Sequence, residues 1–377
     1  DKKIWMIIRH GTRLPSPKDI DASSLLEDLK DKIVLHHQLG KGIDYQIQKF
    51  VEWKNNLDIE HAKELTLEGE EEMVLLAERM MNRFPNKILH FRIFKYFQLK
   101  YTATQRTQQS ARYFTIGLFD MHSQDVVYEP SSTDDCILRF YKYCDRWQME
   151  VKQNSSTYNE HKRCIHRLLM TFIMSSDHLV GGLPTLRLLV RDLHSRTFLS
   201  HRLSIFRASE LIATIFIYPN YLYVYLQRLE YYYDIKHYWM DGYGHDLTVK
   251  LACSPIKHMF ETFDNNKGPN ATFLFAHSGT LLKILAHMQL YKPLTPLRGD
   301  RIDVSRTWKA SNIDCFATNL AFVLYRCEDD DYILTLHQER IIKLPMCENE
   351  LCRLDDLRKY FYESINDCDI NKICSLD

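Results

Sequence analysis

The chain has 377 residues, 45% of them hydrophobic and 26% charged, which is ordinary globular composition and enough length for one large domain or a core carrying an inserted second one. Lysine plus arginine equals aspartate plus glutamate at 49 each, so the molecule as a whole has no electrostatic reason to seek nucleic acid or an acidic membrane surface. No stretch reaches the roughly 18 apolar residues of a membrane span; the nearest, Leu211 to Leu226, is broken by Pro219 and Asn220.

The chain starts at Asp1 without an initiator Met, and a leader or longer N-terminal segment is expected to precede it. Trp5-Met6-Ile7-Ile8 reads as a buried strand that stops at Arg9-His10-Gly11. In the loop that follows, Pro15 and Pro17 oppose helix and Gly11 allows close backbone approach to a ligand. Thr66 is the expected N-cap of a helix whose glutamates suit the positive helix start and whose apolar stripe is Met73, Leu76, Ala77 and Met80. A second strand, Phe97 to Thr102, leads through Arg106 into helical spacing, and a third, Thr272 to Ala276, ends at His277 before a helix from Thr280. Ala317 to Cys327 and Tyr332 to Leu336 read as late strands of the same sheet. The acidic run Asp329 to Asp331 between them reads as a solvated turn, so no metal and no cofactor is called for. Together these patterns predict an α/β fold with a mostly parallel central sheet flanked by helices, its core formed by residues 1–129 and 241–377, and a mostly helical insertion over 130–240 capping the pocket.

Ten cysteines without a CxxC, four of them crowded near the end (Cys347, Cys352, Cys368 and Cys374), favour disulfides over zinc. Sequons at Asn154 and Asn270 agree with a secretory route, so a secreted or endoplasmic reticulum lumenal glycoprotein is expected.

Arg9-His10-Gly11-Thr12-Arg13-Leu14-Pro15 places one imidazole between two guanidiniums on a strand-terminal loop. Guanidiniums bind phosphate through bidentate, charge-assisted hydrogen bonds, and a neutral imidazole beside a charge-neutralised phosphate can attack phosphorus. This run resembles the RHGxRxP motif of the histidine phosphatase superfamily, acid phosphatase and phytase branch. The resemblance narrows to the multiple inositol polyphosphate phosphatases through Tyr143-Cys144-Asp145-Arg146-Trp147, Gly242-Tyr243-Gly244, Ser311-Asn312, Ala317-Thr318-Asn319-Leu320 and Phe322 to Cys327. It implies that His10 is the nucleophile, that Arg9, Arg13 and Arg106 clamp the phosphate, and that His277 stabilises the developing charge. Thr12, Ser278 and Thr280 are the further pocket candidates.

Relatives carry an acid directly after the second histidine (HD) or two positions after it (HAE), and that carboxyl protonates the leaving oxygen. Here those positions are Ser278 and Gly279. The alternative pair His245-Asp246 has no apolar strand before it, which leaves His277 as the better second histidine. Loss of a general acid costs about 10²- to 10⁴-fold in rate, so a preference for activated leaving groups over phytate is expected. Two readings stand: a phosphomonoester hydrolase acting on an inositol polyphosphate or similar small molecule, and an impaired relative that binds inositol phosphates without turnover.

Overall fold

The computed structural model describes residues 3–38, 51–85, 97–130, 132, 135–167, 219–327 and 330–376. Its sheet runs in the order β2 (Phe97–Tyr101), β3 (Ala271–Ala276), β1 (Ile4–Arg9), β4 (Asn319–Cys327), β5 (Asp330–His337) and β6 (Arg340–Ile341), with β7 (Leu351–Arg353) also on β5. β2, β3 and β1 are parallel, whereas β4 pairs antiparallel with both β1 and β5. The sheet expected to be mostly parallel is therefore mixed. Its N-terminal half is linked by long crossovers, but the short β4 to β5 connection can only return the chain antiparallel.

The apolar runs bury both faces, as parallel strands covered on two sides require. Along β1, Ile4, Met6 and Ile8 join one core with α2 (Leu67–Arg83) and α3 (Gln105–Phe119). Trp5 and Ile7 point the other way, into a second core with α5 (Cys253–Asp264) and α6 (Ser278–His287). That second core also takes Phe140, Trp147 and Tyr231, so described parts of the segment expected as an insertion share a core with the sheet. Residues 168–218 of that segment lie outside the described residues, and helix α4 (Pro219–Asp241) closes it.

Thr66 caps α2 by accepting from the Gly69 amide, and Met73, Leu76, Ala77 and Met80 are buried. Pro17, expected to oppose helix, instead starts α1 (Pro17–Gln38), because a first-turn residue has no amide bond to lose. Asp330 and Asp331, expected in the turn, extend β5 and pair with Arg353 and Arg326. Three disulfides join Cys144 to Cys374, Cys253 to Cys368 and Cys347 to Cys352, so all four tail cysteines are used. Among the described residues no helix is long and apolar enough to cross a membrane.

Candidate active site

The strands β1, β2 and β3 all end on the same side of the sheet, where open α/β sheets bind their ligands. β1 delivers Arg9 and His10, β3 delivers His277 as the N-cap of α6, and the turn after β2 delivers Arg106 near the start of α3. The loop after β1 is held by α2. The Thr12 amide and hydroxyl both donate to Glu72, and the Thr66 amide donates to the Thr12 carbonyl. The missing Cβ of Gly11 also lets this loop meet α2. A Cβ on Gly11 would lie 2.3 Å from the Gly69 carbonyl oxygen, and one on Gly69 would lie 2.2 Å from the Thr12 carbonyl oxygen.

The His10 and His277 rings stand 5.5 Å apart, edge to face, and both are buried. His10 Nδ1 lies 2.9 Å from the Gly11 carbonyl oxygen, so Nδ1 carries the proton and Nε2 is left with its lone pair. Burial pushes the His10 pKa down to about 3, and Arg9, Arg106 and Arg13 add to the effect. His277 is lowered to about 2 by burial first, then by Arg106, His10 and Arg139. Its Nε2 contacts Thr102 Oγ1 at 2.8 Å, and Arg106 donates to its Nδ1 at 3.4 Å.

The guanidiniums are short of partners. Arg9 donates to the Asp314 carbonyl, approaches the Asp314 carboxylate at 3.2 Å and lies over the Phe316 ring at 4.5 Å, yet its Nε has no partner. The buried Nε atoms of Arg106 and Arg139 are also unsatisfied. Arg13 donates to the Leu14 carbonyl. Burial together with Arg13, Arg139 and Arg9 brings Arg106 down to about 10. Crowded like charges with idle donors are costly in a protein interior. A phosphate would relieve that cost.

Among the other candidates, Ser278 is part-exposed at the start of α6, whereas Thr280 is turned inward to donate to the Leu138 carbonyl. His245 contacts Thr157 Oγ1 and the Trp239 ring. The Asn154 side chain accepts from the Ser156 amide and hydroxyl, and Asn270 lies just before β3 with its carbonyl accepting from Ile4. Three residues of the site carried no sequence signal of their own: Arg139, Asp314 and Phe316. Arg139 and Asp314 lie beside stretches that carry the resemblance, but nothing in their local pattern aims them at the pocket.

A sequence profile of the histidine phosphatase superfamily (branch 2) matches residues 2–343. The chain belongs to this family. It is similar to multiple inositol polyphosphate phosphatase 1 of Drosophila melanogaster, 27% identical over 98% of this chain and 80% of the relative. The same-named human protein is 22% identical over 98% of this chain and 80% of its own length. Among solved structures, the phytase from D. castellii superposes with a TM-score of 0.74 at 14% identity, over 99% of this chain and 81% of that one. The Bifidobacterium longum multiple inositol polyphosphate phosphatase complexed with inositol hexasulfate gives 0.66 at 15% identity, over 95% and 91%. This histidine phosphatase is an enzyme related to inositol polyphosphate phosphatases and phytases.

Proposed function

We propose that the protein hydrolyses phosphate monoesters of the inositol polyphosphate class through a phosphohistidine on His10. The observation that carries this reading is a neutral, buried imidazole with a free Nε2 set among guanidiniums of which three, Arg9, Arg106 and Arg139, keep an unpartnered Nε. Arg9, Arg13, Arg106 and Arg139 bind the phosphoryl oxygens and neutralise their charge, which removes the repulsion facing the incoming lone pair. His10 Nε2 forms a bond to phosphorus as the ester oxygen leaves. Charge then grows on the phosphoryl oxygens beside His277, whose Nδ1 takes a proton from solvent as the substrate anion binds and offsets the surrounding cations, and keeps it through both half-reactions. Water hydrolyses the phosphohistidine and returns His10 to its starting tautomer. Thr12 and Thr280 act in the frame around the phosphate, through Glu72 and Leu138. The three disulfides support residence in an oxidising compartment, secreted or lumenal, with glycosylation at Asn154 and Asn270.

The test is rapid quenching with a radiolabelled aryl phosphate. Acid-labile label is expected on the wild type and absent from His10→Ala. A second reading, a binding protein without turnover, is favoured by one observation, the absence of a carboxylic acid at Ser278 and Gly279. No label and no turnover, with phytate still bound tightly, would establish that reading instead.

A further inference from the structure

The position that should hold the proton donor is not without a carboxyl group. Asp314 follows the short helix α7 (Ala310–Ile313) on the segment that leads into β4. Its carboxylate lies 3.2 Å from Arg9, the residue before His10, and accepts from the hydroxyl of Ser278, the residue after His277. Asp314 thus bridges the two loops that carry the paired histidines. Its side chain is 3% exposed and its Oδ1 has no partner.

We infer that Asp314 and Ser278 together form the proton-donating device of this enzyme, with the Asp314 carboxyl as the source and the Ser278 hydroxyl as the group that meets the leaving oxygen. This rests on the phosphohistidine reading above. As the His10 Nε2 to phosphorus bond forms, the ester P–O bond breaks and its electron pair stays on the leaving oxygen. With the leaving oxygen in place the Ser278 hydroxyl turns to it and the protonated Asp314 donates to Ser278 Oγ, reversing the direction of the hydrogen bond in the empty site; the leaving oxygen then takes the Ser278 Oγ proton, and Ser278 Oγ takes the proton of Asp314, which becomes a carboxylate. In the second half, water attacks phosphorus and the P–N bond breaks. The water proton returns to Asp314 through Ser278, so both groups and His10 are restored.

Two other acidic groups stand near Gly279 and fit the role less well. A Cβ built on Gly279 would lie 3.1 Å from the Tyr141 hydroxyl and 3.2 Å from Asp241 Oδ1, so these side chains fill the space beside it. Asp241 is held well below the usual carboxylate range by Lys283 at 2.5 Å and His237 at 2.9 Å, despite its burial, and so has no proton to give. Tyr141 is pushed up to about 12 by burial, too weak an acid to match a donor operating near neutrality. Asp314 is raised by burial, with Asp241 adding to the rise and Arg9, Ser278 and His237 opposing it. A phosphate on Arg9 offsets one of those opposing charges, so substrate binding itself favours the protonated carboxyl.

The experiment measures kcat and KM of the intact protein for a series of phosphate monoesters, from nitrophenyl to alkyl leaving groups, in Asp314→Asn, Ser278→Ala and Tyr141→Phe. The first two are expected to lose about 10²- to 10⁴-fold in kcat on alkyl esters and far less on nitrophenyl phosphate. The alkaline limb of the wild-type alkyl-ester kcat profile should vanish in Asp314→Asn. Ser278→Ala does not touch Arg9, so it keeps the test sharp if Asp314→Asn disturbs phosphate binding. Uniform losses across all esters, or a selective loss in Tyr141→Phe alone, would overturn the assignment. Phosphohistidine trapping in the wild type separates the two claims: label with no leaving-group selectivity in the variants sinks only this inference, and no label sinks the reading beneath it.

Discussion

Arg139 is the residue whose role is most exposed to a single substitution. It lies in a part-buried position, its Nε makes no hydrogen bond, and its charge helps to lower both Arg106 and His277. A charged donor left idle beside like charges destabilises the empty protein and strengthens any anion that arrives. Arg139→Met is therefore expected to raise the melting temperature without phosphate and to weaken phosphate affinity by about 10- to 100-fold, equivalent to the 1.5–3 kcal/mol of a charge-assisted hydrogen bond. Thermal melts with and without inorganic phosphate check both signs at once. A fall in both quantities would mean that Arg139 is a packing residue.

Among the elements, the loop after β1 depends on the N-terminal turn of α2. Gly11 and Gly69 meet backbone to backbone, while Glu72 holds Thr12 from the same helix. A methyl group on Gly69 has only main-chain atoms of Thr12 and a Leu65 methyl to displace, and main chain does not yield as a flexible side chain does. Gly69→Ala should cost about 1–3 kcal/mol of stability as overpacking. It should also lower kcat/KM more than tenfold, because the shifted strand-terminal loop carries His10. Denaturant unfolding and steady-state kinetics on the same preparation test the coupling, and an Ala variant with unchanged kinetics would refute it. By contrast, α6 owes its register to its own sequence, with His277 in extended conformation directly before its first turn.

For the whole molecule, the buried histidines make stability depend on pH. His10 and His277 are lowered to about 3 and about 2, and His258, His287 and His337 are also lowered by burial. A group whose folded pKa lies below its unfolded value binds more protons when unfolded, so its contribution is intact above about pH 6.5 and falls as the pH drops toward the folded value. At pH 5 the two site histidines alone should remove on the order of 4 kcal/mol, from two protons over about 1.5 pH units. Saturating phosphate should restore much of this by raising both site pKa values. Urea titrations from pH 7.5 to 4.5, with and without phosphate, measure the effect. A stability independent of pH in that range would show that the two imidazoles take up protons in the fold as readily as in the unfolded chain.

The boundary between what the sequence determined and what the tertiary structure decided follows the reach of each interaction. The apolar runs at Ile4–Arg9 and Ala271–Ala276, the Thr66 cap and the helix after His277 are set by periodicity and capping within a few residues, so they were legible directly. The arginine and histidine run after β1 was legible too, because its chemistry is packed into seven consecutive residues. The mixed sheet, the pairing of the cysteines, the close approach of Gly11 to Gly69 and the arrival of Arg139 and Asp314 at the pocket were not. Each joins residues distant in the chain, and burial, which converts an ordinary aspartate beside Ser278 into a raised carboxyl, exists only once the fold has closed around it.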